Sequence, residues 1–119
     1  MKDFRTLSVW EKAHQITLTV YKHTHSFPKE EVYGLTSQIR RASSSIAINI
    51  AEGCGRGSEA DFARFLQISL GSASETEYLI LLSYELNYLS KIDYESLLPM
   101  IQQIKKMLTS LILKIKNSH

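Results

Sequence analysis

The sequence predicts an all-α fold, an antiparallel up-down-up-down bundle of four helices, on three observations. Apolar residues recur at alternating steps of three and four along most of the chain. No segment sustains the period-two alternation of a half-buried strand. The interruptions are few and short, at Pro28 to Gly34, at Gly53 to Gly57 and near Asn87, and short connections lay consecutive helices side by side in opposite directions. The expected helices span approximately 8–26, 36–53, 58–88 and 93–116, within a single domain of residues 1–119.

Each helix has its own justification. Ser8-Val9-Trp10-Glu11 has the spacing of a capping box, which makes Ser8 the expected N-cap of the first. Trp10, Ala13, Thr17, Val20, Thr24 and Phe27 then fall on one face, and Pro28 disfavours helical geometry in Phe27. In the second helix Thr36 or Ser37 is the expected cap, Ile39, Ala42, Ile46 and Ile50 form the apolar row, and Gly53 is the expected stop. Ser58 offers a capping hydroxyl to the third, with Glu59 and Asp61 suited to its positive end. That helix has two apolar seams, one through Phe62, Leu66, Ser69, Ala73, Thr76 and Ile80, the other through Phe65, Ile68, Ser72, Leu79, Leu82, Leu86 and Leu89. Three partner helices can cover both; alternatively one seam packs against another subunit. The fourth has Asp93 as its expected cap and Leu97, Ile101, Ile104, Leu108, Leu111 and Ile115 as its seam, with a bend or a later start at Pro99.

Composition narrows the function classes. A chain of 119 residues, 44% hydrophobic and 22% charged, buries a real core and is too apolar for disorder. No apolar run approaches the roughly 20 residues of a membrane span. The first residues, MKDFRTLSVWEKAH, mix acids with bases and lack the apolar region of a secretory signal, so a cytoplasmic location is expected. Cys54, the single cysteine, agrees with a reducing compartment. A net charge of +2 is too small for a protein that neutralises many phosphates at once, so any nucleic-acid surface must be a local patch. The basic residues do cluster, at Arg40, Arg41, Arg56 and Arg64 and again at Lys105, Lys106, Lys114 and Lys116.

Polar residues suggest structure before chemistry. Gln38, Arg41, Ser45, Asn49 and Glu52 share one face of the second helix, either an outer wall or an inner network. Glu75 sits on an apolar seam where leucine is expected, and a buried Glu75 would demand a cation, with Arg41 or Arg40 the natural partner. Glu52, Glu75 and Glu77 lack any E-x-x-H or nucleophile pattern, so no catalytic residues are assigned. His23 and His25 project about 200° apart on a helix, and no metal or cofactor is expected. The corner Gly53-Cys54-Gly55-Arg56-Gly57-Ser58 matches neither a P-loop nor a dinucleotide fingerprint and reads as a helix reversal, compatible with contact to a nucleic-acid backbone. Tyr84 and Tyr88 suit a half-buried edge better than base stacking. Small residues at 42–45, 47 and 51 and at 71–74 predict close approach of the second and third helices.

Taken in order, VW..A from Val9, FP..E.YGL from Phe27, Q.RRA from Gln38, SI..NIAEG.GR from Ser45, F..FL from Phe62 and GS..E.E from Gly71 resemble the four-helix-bundle proteins encoded in intervening sequences of bacterial 23S ribosomal RNA genes. The chain departs from the usual pattern with Ser43 and Ser69 in place of more apolar alanines, Ala47 for a frequent proline, and Cys54 where an aromatic is common. The resemblance implies a ring-shaped homopentamer and a non-enzymatic role in binding RNA or DNA. It also implies kinship with accessory proteins of retroelements, which contact a reverse transcriptase. On this basis Arg40, Arg56 and Arg64 are the candidate nucleic-acid residues, while the polar stripe and the acid on the apolar seam make Gln38, Arg41, Asn49, Glu52 and Glu75 the candidate structural network. The expected function is weak electrostatic binding of nucleic acid, or alternatively a protein-interaction scaffold such as an accessory protein of a reverse transcriptase.

Overall fold

In the computed structural model, which describes residues 2–118, four helices carry the architecture: α1 (Ser8–Thr24), α2 (Leu35–Cys54), α3 (Glu59–Glu85) and α4 (Lys91–Asn117). Single 3-10 turns at Phe4–Thr6 and Lys29–Glu31 lead into α1 and α2. Pairs of contacting residues fix the directions. Thr17 meets Ser43 and Thr24 meets Arg40; Ser45 meets Ser72 and Gly53 meets Phe65; Glu77 meets Lys105 and Tyr84 meets Tyr94. In every pair one number rises as the other falls, so consecutive helices run antiparallel. The ring of packing closes where α1 meets α4, and the molecule measures 47 × 23 × 20 Å. Among the described residues no helix is long and apolar enough to cross a membrane.

The core follows the sequence periodicity closely. Ile39, Ala42, Ile46 and Ile50 of α2 are all buried, as is the whole first seam of α3 from Phe62 to Ile80. The second seam is only partly covered: Phe65, Leu79 and Leu89 are buried, whereas Ile68 is 42% and Leu86 44% exposed. The buried face of α1 runs through Val9, Ala13, Ile16 and Val20, leaving Trp10 and Thr17 half-buried. In α4 the seam takes Ile112, while Leu111 is half-buried. Thr17 nevertheless serves packing, because its hydroxyl donates to the Ser43 carbonyl at 3.1 Å and joins α1 to α2.

Three helix starts differ from expectation, each for a local reason. Leu7, not Ser8, occupies the cap of α1, and no side-chain bond closes that end; Asp3 caps the preceding 3-10 turn instead, accepting from the Arg5 amide. At α2 neither Thr36 nor Ser37 caps. The Glu31 carboxylate reaches forward to the Leu35 amide at 3.0 Å, and its other oxygen accepts from the Tyr88 hydroxyl at 3.0 Å. For α4 the cap is Ser90, whose hydroxyl accepts from the Asp93 amide at 3.1 Å, so Asp93 supplies the favourable first-turn charge and not the cap. The helix therefore begins earlier and runs through Pro99. Its missing N–H removes the bond to the carbonyl of Glu95 four residues back, in an exposed stretch of the helix. Ser58 caps α3 as expected, at 3.1 Å from the Asp61 amide. That helix ends at Glu85, because Asn87 takes a φ of 65° and the amides of Tyr88 and Leu89 fold back onto the Ser83 carbonyl.

Candidate nucleic-acid interface

The corner between α2 and α3 is built on close approach. A side chain added at Gly53 would place its Cβ 2.9 Å from that of Phe65 and 3.1 Å from the Phe62 ring, so only glycine lets the helices meet there. Phe65 in turn carries two guanidinium groups, Arg56 at 4.9 Å and Arg64 at 4.6 Å from the ring centre. Lys2 lies over the neighbouring Phe62 ring at 5.2 Å, held by a bond from its amide to the Cys54 carbonyl at 3.0 Å. Sequence reading missed Lys2, since nothing local indicates that the chain start folds back onto the end of α2.

Three carboxylates accompany these three cations. Lys2 pairs with Glu59 at 2.9 Å, Arg64 with Asp61 at 3.6 Å, and Arg56 with Glu52 at 3.9 Å. The paired side chains are 44–57% exposed, and half-exposed ion pairs are worth only about 0–1 kcal/mol. The cations are therefore oriented but weakly committed. Beneath them lies a hollow of about 110 Å³ lined by Gly53, Cys54, Arg56 and Gly57 among others, too small for a nucleotide.

Arg40 is not part of this corner. It lies fourteen positions before the end of α2, about 20 Å away along the axis at 1.5 Å per residue. Its Nε donates to the Thr24 hydroxyl at 2.8 Å and its guanidinium stacks on Tyr21 at 4.6 Å, tying α2 to α1. The basic candidates thus divide into an exposed pair, Arg56 and Arg64, and a half-buried structural arginine.

The polar stripe of α2 is also redistributed. Gln38, Arg41, Ser45 and Glu75 line one open groove of about 380 Å³, together with Tyr33. Arg41 and Glu75 are both exposed, however, and neither forms an ion pair among the described residues. The buried arginine–carboxylate bridge is absent within the single chain, because Glu75 stands on the outer lip of the groove and stays hydrated. Serines join the helices instead. The Ser72 hydroxyl donates to that of Ser45 at 3.1 Å and Ser69 donates to the Ile46 carbonyl at 2.9 Å, while Asn49 donates within α2 to the Ser45 carbonyl and hydroxyl at 2.8 and 3.0 Å. Glu52 belongs to the corner through Arg56.

Other candidates have internal partners. Tyr84 stacks on Tyr94 at 4.4 Å, and Tyr88 packs against Phe27 while bonding Glu31, so neither ring is free to stack on a base. The Glu31 carboxylate that accepts the Tyr88 hydroxyl raises the phenol's pKa. His14 stacks on Trp10, and His23 lies 3.4 Å from Asp93. The pair between Lys105 and Glu77 at 2.9 Å, which bridges α3 and α4, carried no sequence signal.

Cys54 is 2% exposed, and burial is the main cause that pushes its thiol pKa up, with the Lys2 charge partly opposing. Thiolate is the reactive form, so both inaccessibility and the raised pKa slow attack. At pH 8 the folded protein is expected to react with an aromatic disulfide reagent about 100-fold more slowly than the urea-unfolded chain. Equal rates would mean that the corner opens freely.

The sequence profile of the 23S rRNA-intervening sequence proteins matches residues 5–110. A crystal structure of a protein of unknown function from the S23 ribosomal protein family of Bacteroides thetaiotaomicron is 32% identical, with a TM-score of 0.78 over 87% of this chain and 97% of that one. No curated protein matches the chain. The matched region takes in α1, α2, α3 and most of α4, including Arg56, Arg64 and Phe65, and on this the chain belongs to the 23S rRNA-intervening sequence protein family.

Proposed function

We propose that the protein is a non-enzymatic bundle that binds RNA, or a related nucleic acid, weakly and electrostatically through the corner formed by Arg56, Phe65 and Arg64. The observation that carries this reading is the convergence of two half-exposed guanidinium groups on one ring. A guanidinium presents a planar fork that matches phosphate oxygens, and a phosphate can displace a loosely held carboxylate at small cost. The carboxylates keep the corner nearly neutral, which suits weak binding. The family's name associates its members with intervening sequences of 23S rRNA, which makes RNA the first polyanion to test. Assembly as a homopentamer belongs to the same proposal: five copies of a weak patch bind a long polyanion with avidity that one copy lacks. Exposed Ile48 on α2 and Ile68 on α3, at corresponding levels of the two helices, supply apolar surface for that contact.

A fluorescence anisotropy titration with a structured RNA hairpin at low salt tests the corner. The double variant Arg56→Ala/Arg64→Ala is expected to bind about tenfold more weakly or worse, whereas Arg40→Ala changes affinity less than about threefold. Wild-type affinity in the double variant removes the corner from the reading. A second reading, a protein-interaction scaffold such as an accessory protein of a reverse transcriptase, is favoured by Tyr33, which is 96% exposed beside the α2–α3 groove. Recovery of one protein partner after nuclease treatment, with no RNA binding at low salt, would decide for it.

A further inference from the structure

The basic residues of α4 take no part in the arginine corner, and two of them flank an apolar groove. Of the four adjoining helix pairs, α1 and α4 pack least extensively. Between the start of α1 and the second half of α4 this leaves an open groove of about 430 Å³, with Leu7, Val9, Met107 and Leu111 among its lining and Lys106 and Lys114 beside them. Lys106 and Lys114 are exposed and form no ion pair among the described residues, whereas their neighbour Lys105 is committed to Glu77. Spaced eight residues apart, the two lysines repeat along α4 at about 12 Å, two turns of helix. Met107 and Leu111, one turn apart, lie between them in sequence, and the flexible thioether of Met107 adapts easily to a partner's shape.

We infer that this groove docks an acidic amphipathic helix of a partner protein, with the partner's apolar row on Met107 and Leu111 and two of its carboxylates, two turns apart, on Lys106 and Lys114. Charge complementarity selects this occupant. A fatty acid has a single carboxylate for two ammonium groups, and a nucleic-acid backbone gains nothing from the apolar lining. A peptide helix with acids at two-turn spacing beside an apolar row satisfies both features, which is the usual logic of helix-in-groove recognition. The interaction is independent of RNA binding at the Arg56–Arg64 corner.

The test uses the intact protein and a fluorescein-labelled peptide of about four helical turns, with two glutamates two turns apart and leucines filling the adjacent face. Anisotropy is expected to report a Kd on the order of 10–100 µM. Lys106→Glu/Lys114→Glu should weaken it about tenfold or more, as should replacing the peptide's leucines by serine, while Arg56→Ala/Arg64→Ala leaves it unchanged. No binding at about 1 mM peptide, equal affinity of the lysine variant, or equal affinity of the serine peptide would each overturn the inference. So would a change in oligomeric state in the lysine variant without loss of peptide binding, which would assign the groove to a second copy.

Discussion

Gly53→Val should lower the stability of the folded protein by about 3 kcal/mol, equivalent to roughly 12 °C in Tm for a chain of this size. The first added carbon already meets the Phe65 Cβ at 2.9 Å and the Phe62 ring at 3.1 Å. Phe65 Cβ is fixed to the backbone of α3, so the clash is relieved only by moving the helices apart. Valine adds two methyl groups beyond that contact and is stiff in a helix. Gly53→Ala is the informative companion. Its clash is smaller, and alanine recovers about 1 kcal/mol of helix propensity over glycine, so a loss nearer 1 kcal/mol is expected. Urea denaturation followed by circular dichroism measures both; an unchanged midpoint for the valine variant would mean that α2 and α3 are not held at this distance.

The second large effect is expected at Ser69→Leu. Ser69 is fully buried in the most extensive helix pairing of the bundle, and its hydroxyl donates to the Ile46 carbonyl of α2 at 2.9 Å. Leucine adds bulk where no space exists and removes the bond, which together cost about 3 kcal/mol or more. Ser69→Ala removes only the bond, and Ile46 keeps its place within α2, so about 1 kcal/mol is expected. If leucine proves as mild as alanine in the same denaturation experiment, the serines here are tolerated passengers and do not set the spacing.

Both predictions rest on features that periodicity shows only in outline. The small residues at 42–45 and 71–74 announced a close approach, and Ser43 and Ala73 are fully buried, whereas Gly71 and Ser74 face outward and the contact instead uses Ser69. Apolar rows at steps of three and four located every helix to within about three residues, because burial of one face dominates the choice of helix. Helix ends were less legible. Glu31 caps α2 from a separate 3-10 turn and Leu7 displaces Ser8, choices set by how neighbouring segments fold and not by a local motif. The candidate site was legible in residue type but not in grouping. Arg40 and Arg56 look equivalent in sequence, yet one is consumed by Thr24 and Tyr21 while the other lies on Phe65. Glu75 misled because an acid on an apolar seam implies burial only if that seam is covered, and the second seam of α3 is open in places.

The RNA reading is tested most directly by the salt dependence of affinity for a structured RNA hairpin. For wild-type protein log Kd should rise linearly with log salt concentration, and Arg56→Ala/Arg64→Ala should flatten that slope by about one unit for each arginine in contact. An affinity independent of salt, or the same slope in both proteins, would contradict electrostatic binding at this corner.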